Sequence, residues 1–412
     1  MIHKFKNFFH IIIIFILVNI ALQSSFLSNF IWATHEPFAD LKMPINWLEC
    51  HFLGFNLITT ETLNCETGKN ISQFNYGYIF LATPYNETLD IFYREYLPYI
   101  LIFLFIFLSI KIISPKNNLE ITLLYFALLN PSSMLLMERM QLDCIIYISV
   151  ILIVYNRLYI VNWFLSIYLT LIKIYPIIML INIFVEKKNR SLKKIFLIFL
   201  FLTIVTFIYL FINKEAYSFM MNNMLPGKAG YHYLFSLNAL PKIFKYIFGI
   251  KYQILLIIFY ILFIIVTTKF YKTVYKNNHY FKKELFTNNS KLFLVGGFLS
   301  LFLFISVSSY VYKEIFLILL IPFILEIRNK YNDKFFKNIL YIIISRYIFL
   351  FLYAYVNVND GITYDDNQRV FSNIFLIFIT LKSLFDFILM SIIASILYLK
   401  SKFYVMDKLQ IK

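Results

Sequence analysis

Apolar residues in this chain come in long runs, and the polar positions between the runs mark where each one stops. The first run extends from Phe9 to Phe30 behind the basic start Lys4 and Lys6. Further runs read as Leu97 to Ile113, Ile121 to Met137, Cys144 to Tyr155, Ile195 to Phe211 and Ile254 to Thr268. Leu292 to Ser309, Ile315 to Ile327, Ile339 to Val356 and Ile374 to Leu399 complete the series. A helix needs roughly 20 apolar residues to cross a bilayer, so the pattern predicts a membrane-spanning helix at each run. The first is long for a signal peptide and lacks a small-residue cleavage site, so it reads as a retained anchor.

One run does not fit a simple alternation of sides. Ile160 to Val185 is long enough for a single span, yet Arg157 before it and the Lys187 cluster after it both favour the cytoplasm. Near its middle stands Lys173-Ile174-Tyr175-Pro176, and proline breaks or kinks a helix. Two half-length helices in a re-entrant hairpin over 160–185, with Lys173 and Tyr175 at its tip, resolve the conflict. A single kinked span with one misplaced basic loop is the alternative. With the hairpin, the expectation is an all-α, polytopic, single integral membrane domain over 1–412, with about ten spans and both termini cytoplasmic.

Composition agrees with the pattern. Of the 412 residues, 60% are hydrophobic and 15% charged, against roughly 45–50% and about 25% in soluble domains. Soluble, disordered and disulfide-knotted classes are excluded. The net charge of +16 could suggest nucleic acid, but its placement argues otherwise. Basic residues gather at Lys187 to Lys194, Lys269 to Lys283 and Arg328 to Lys337, as cytoplasmic loops do. The long polar stretch 32–95 carries eight acids but only Lys42, Lys69 and Arg94 as bases, which predicts a large first extracytoplasmic loop. Long loops are usually functional.

Ionisable groups in or beside spans are costly, which makes them candidates for function. His35, Glu36 and Asp40 follow the first span, where a carboxylate could serve as general base toward a hydroxyl. Glu138, Arg139 and Asp143 sit in a short turn between two apolar runs. Lys173, with Tyr175, needs an acidic partner, for which Glu138 and Asp143 are nearest in the chain. Tyr310 and Lys313 occupy another outer turn, and Lys228 and His232 lie in a glycine-containing outer loop. Each set also has a plainer reading: a solvated loop acid, a self-paired turn, a structural ion pair, an aromatic belt with a snorkelling lysine. Arg346 lies within an apolar run, and Lys382 with Asp386 reads as an intrahelical pair.

Cys50 and Cys65 share the first loop, where they could bridge or remain thiols; Cys144 ends a run. No His/Cys cluster has metal spacing, and there is no phosphate-binding glycine loop, dinucleotide fingerprint or internal repeat.

Taken in order, the outer aspartate, the Glu138-Arg139-Met140-Gln141-Leu142-Asp143 turn and the Lys173-x-Tyr175-Pro176 element resemble the GT-C superfamily of polyprenyl-phosphate-sugar-dependent glycosyltransferases. The likeness is greatest to the bacterial mannosyltransferase-like branch, glycosyltransferase family 87. There the turn often reads Glu-Arg-Gly-Gln/Asn-x-Asp, so Met140 stands where glycine is usual. The likeness runs from Asp40 to Pro176, and again from Tyr310 to Pro322, with Lys313 where arginine is common. It implies a GT-C-like fold in the plasma membrane and an inverting transfer at the extracytoplasmic face. The implied donor is a polyprenyl-phosphate sugar, and the acceptor a glycan or glycolipid with its hydroxyl deprotonated by Asp40. Arg139, Lys228 and Lys313 are the cations expected near the donor phosphate. A divalent cation is compatible with such chemistry, although no ligand cluster demands one. An O-antigen-type polymerase or ligase, a lipid-linked glycan transporter or flippase, and a structural subunit are the competing readings.

Overall fold

The computed structural model describes residues 2–23, 37–57, 65, 76–156, 158–182, 192–223, 234–306, 311–359, 362–365 and 368–408. Among these, five helices are long and apolar enough to cross a membrane: Glu87–Ile113, Tyr252–Lys276, Asn288–Ile305, Lys334–Val356 and Asn373–Met406. A sixth arises if Asn118–Leu129 and Pro131–Arg139, bent by 44° at their junction, count as one span. Four shorter apolar helices accompany them: Asn7–Gln23, Leu142–Tyr155, Val161–Ile172 and Thr203–Ile212.

The difference from the run-by-run reading lies in breaks that leave the apolar character of a run intact. Ile121 to Met137 is interrupted where Pro131 opens a new helix and the Asn130 side chain caps it, accepting from the N–H groups of Ser132 and Ser133 at 2.9 and 3.1 Å. Ile315 to Ile327 is split between a 3-10 segment, Val311–Leu320, and the helix Ile321–Tyr331, with Pro322 at the junction. Among the described residues the elements are otherwise helical, with one short antiparallel ribbon, Ile362–Asp365 against Gln368–Phe371.

Residues 159–182 fold back on themselves. The helix Tyr159–Ile172 ends at Lys173, and a 3-10 turn over Tyr175–Ile181 returns beside it. Asn162 in the first arm and Asn182 at the end of the second both donate to the Ile153 carbonyl, at 3.1 and 3.4 Å. Both arms are thus tied at one level of the neighbouring helix Leu142–Tyr155, while Lys173 reaches Asp143 at that helix's other end.

The described residues of the polar stretch after the first helix form a small unit of their own. Helix Ala39–Phe52 and a 3-10 turn, Tyr78–Ala82, pack around their own small core of Trp47, Leu48, Cys50, Leu57, Cys65 and Leu81. Cys50 and Cys65 form a disulfide within it. The following helix begins at Glu87, so Asp90 and Arg94 belong to it and not to a loop. Arg94 fastens the two helices together, reaching Asn46 at 2.8 Å, Glu49 at 3.0 Å and Asp90 at 2.6 Å. The main apolar core is continuous through most of the other helices, the helix that includes Thr203–Ile212 standing outside it.

Candidate functional site

Asp40 stands in the first turn of helix Ala39–Phe52, and two backbone irregularities bring it to its partners. Phe38, which caps that helix, is left-handed at φ 64°, a conformation that a bulky residue adopts only when its surroundings hold it there. Its N–H donates to the Glu138 carbonyl at 2.6 Å, and its ring packs edge-on against Tyr99 at 5.3 Å. Met140, which ends helix Pro131–Arg139, is also left-handed at φ 48°. That is the conformation glycine adopts most easily at a helix end. Here the Met140 side chain is fully buried, so apolar burial offsets the backbone cost.

The Arg139 guanidinium lies 3.3 Å from both Asp40 oxygens, and the Gln141 amide donates to Asp40 Oδ2. Both members of the ion pair remain partly open, with side-chain exposures of 32% and 27%. A second carboxylate lies behind them. Asp143, fully buried, accepts from Lys173 Nζ at 2.8 Å and from the Tyr175 hydroxyl. Lys173 also sits 5.3 Å from the Tyr76 ring, and Lys313 5.2 Å from that of Tyr175. Burial raises the Tyr76 phenol above its ordinary range, against the opposing pull of the Lys173 charge.

Gly77 makes this assembly possible. Its N–H donates to the Ile172 carbonyl at 3.0 Å, and a Cβ there would fall 1.6 Å from the Leu171 carbonyl oxygen. Only glycine allows the loop backbone to come this close to the hairpin tip.

Asp40, Arg139, Asp143, Lys173, Tyr175 and Lys313 therefore converge, although they come from five separate segments. Of the two partners considered for Lys173, the structure selects Asp143; buried Glu138 instead lends its carbonyl to Phe38. His35, Glu36, Lys228, His232 and Tyr310 lie outside the described residues. Gln141, Tyr76 and Gly77 were not singled out from the sequence. The first was visible within the Glu138 to Asp143 motif, whereas the other two carry no local signal. Among the described residues, no group of three or more His, Cys, Asp or Glu side chains is placed to hold a metal ion.

Deeper in the helices lies a buried charge quartet that the sequence showed only in pieces. Arg346 pairs with both Glu314 and Asp386, and Lys382 reaches Glu314 at 2.6 Å and Asp386 at 2.7 Å. Ser132 Oγ also donates to Glu314, at 2.9 Å. The quartet sums to zero charge, with each side chain 3% exposed or less. Neutrality of this kind is what a low-dielectric interior requires of charges it contains.

Long apolar helices around paired interior charges define a helical membrane protein. Compared with protein-family models, with curated proteins and with solved structures, the chain matches none of them.

Proposed function

We propose that this protein is a membrane glycosyltransferase of GT-C-like fold, with about ten membrane crossings once the shorter apolar helices are included. In this reading it moves a sugar from a polyprenyl-phosphate donor to a glycan or glycolipid acceptor outside the cytoplasm, with inversion. The observation that carries the reading is the convergence of one accessible carboxylate, Asp40, with Arg139, Lys173 and Lys313 around a buried Asp143. Polyprenyl phosphate is already a competent leaving group, so the protein must supply a base and cations that meet the departing phosphate. The acceptor oxygen bonds to the anomeric carbon as its proton passes to Asp40. The bond from that carbon to the phosphate oxygen breaks, and its electron pair leaves with the lipid phosphate. Arg139, partly exposed and bound only at 3.3 Å, can turn toward that phosphate while remaining near Asp40.

The basic clusters favour cytoplasmic loops and termini on that side. The Cys50–Cys65 bridge favours a first loop outside the reducing cytoplasm. The test supplies purified protein with radiolabelled polyprenyl-phosphate sugars and membrane lipid extract. A labelled glycan or glycolipid is expected. Asp40→Asn should lower its formation by about 10²-fold or more with insertion and expression unchanged. Activity retained in that variant removes Asp40 from the mechanism, and movement of the lipid without covalent transfer favours a flippase.

A further inference from the structure

The Val311–Leu320 segment carries Lys313 and Glu314 side by side, yet the two side chains serve different environments. A 3-10 turn has three residues per turn, so consecutive side chains diverge by about 120°. Lys313 faces the Tyr175 ring at the hairpin tip. Glu314 points into the interior, where Arg346, Lys382 and Ser132 all bind its carboxylate. Ser132 is in the first turn of Pro131–Arg139, the helix whose last residue is Arg139. A single buried carboxylate therefore joins the two elements that carry the cations Arg139 and Lys313.

We infer that Glu314 is a positioning residue: it fixes the 3-10 segment and the Pro131–Arg139 helix so that Lys313 and Arg139 face one anionic group. The assignment of that group as a lipid phosphate rests on the glycosyltransferase reading; the positioning itself does not. Asp386 completes the neutrality of the quartet from helix Asn373–Met406, and its ion-pair partners Arg346 and Lys382 lie on neither cation-bearing element. The inference thus predicts unequal roles for the two acids, Glu314 and Asp386, although both are buried and both are bound by Arg346 and Lys382.

The test uses charge-balanced pairs, because a lone substitution would leave a net buried charge and threaten folding. Glu314→Gln with Lys382→Met leaves Arg346 and Asp386 as a neutral pair. Lys382→Met with Asp386→Leu leaves Glu314 and Arg346 as one. Each is combined with Lys313→Cys in the full-length protein, and the rate of maleimide labelling at position 313 is measured. Background is low, since Cys144 is buried and Cys50 is bridged to Cys65. The first pair should shift the labelling rate by about tenfold, equivalent to about 1.4 kcal/mol, and the second should leave it near the parent rate. Equal rates in the two pairs overturn the inference. A second arm, with Lys313 intact, titrates farnesyl phosphate onto the detergent-solubilised protein. Weakened binding in the first pair alone supports the phosphate assignment as well. A labelling shift with no farnesyl phosphate binding, even by the parent, upholds positioning and counts against the glycosyl donor.

Discussion

Asp143 and Lys173 form the buried ion pair at the centre of the site, and their unequal burial makes its energetics testable. The carboxylate is wholly sequestered, whereas the lysine side chain keeps 14% of its surface. Removing one member of a buried pair typically costs about 3–5 kcal/mol because the other is left uncompensated. Lys173→Met leaves the more deeply buried charge bonded to the Tyr175 hydroxyl, with Lys313 as a nearby cation, so about 4 kcal/mol is expected, the middle of that range. Asp143→Leu strands a lysine that can move toward solvent and still face the Tyr76 ring, so about 3 kcal/mol is expected. Replacing both groups with apolar ones leaves no stranded charge, and the double variant should cost no more than about 4 kcal/mol. The resulting interaction energy is at least about 3 kcal/mol in magnitude, at the high end for residues in contact. Reversible unfolding in mixed micelles, followed by circular dichroism across the four proteins, measures each term. Costs that add to within about 0.5 kcal/mol would refute the coupling. A cheaper Lys173→Met than Asp143→Leu would refute the argument from burial.

Three further outcomes follow from the geometry. Gly77→Ala should lift the first loop off the hairpin tip, because its Cβ meets the Leu171 backbone first and the Tyr217 hydroxyl as well; a cost of about 1–3 kcal/mol and faster proteolysis between helix Ala39–Phe52 and Glu87 are expected, and an unchanged digestion pattern would argue against the close approach. Met140→Gly relieves a left-handed residue but empties a fully buried position, so a net loss of about 1–3 kcal/mol is expected from the balance of the two effects, with a gain in stability contradicting the packing seen here. Cys50→Ser with Cys65→Ser opens a loop of sequence separation 15, which should lower stability by about 3 kcal/mol and abolish the mobility difference between reduced and oxidised protein on gels; a parent protein with three free thiols would show that the bridge does not form.

The sequence reveals this protein's polarity more readily than its breaks. Apolar runs near Ile254, Leu292, Ile339 and Ile374 became long helices because a run without proline or a cap has one low-energy form in lipid, and the Leu97 run did so with Pro98 in its first turn. The interruption at Asn130-Pro131 and the split within Val311–Tyr331 depend on a capping side chain and on tertiary packing, neither of which lowers hydrophobicity. Within the site, Asp40, Arg139, Asp143 and Lys173 stood out because charges beside spans are rare. The pairing of Lys173 with Asp143 was one of two open choices, settled only by the hairpin's reach along Leu142–Tyr155. Gly77 and Tyr76 were invisible because their importance lies in an approach between distant segments. Lys382 and Asp386 read correctly as neighbours on one helix, while their bonds to Glu314 and Arg346 cross sequence distances no local pattern encodes.

The buried quartet also constrains how this chain can change over generations. Any single replacement at Glu314, Arg346, Lys382 or Asp386 by an uncharged residue leaves an unbalanced charge among apolar helices. Viable descendants must therefore pass through matched substitutions, one acid lost with one base. Related sequences should carry all four charges, one surviving acid–base pair, or none, and an odd number should be rare.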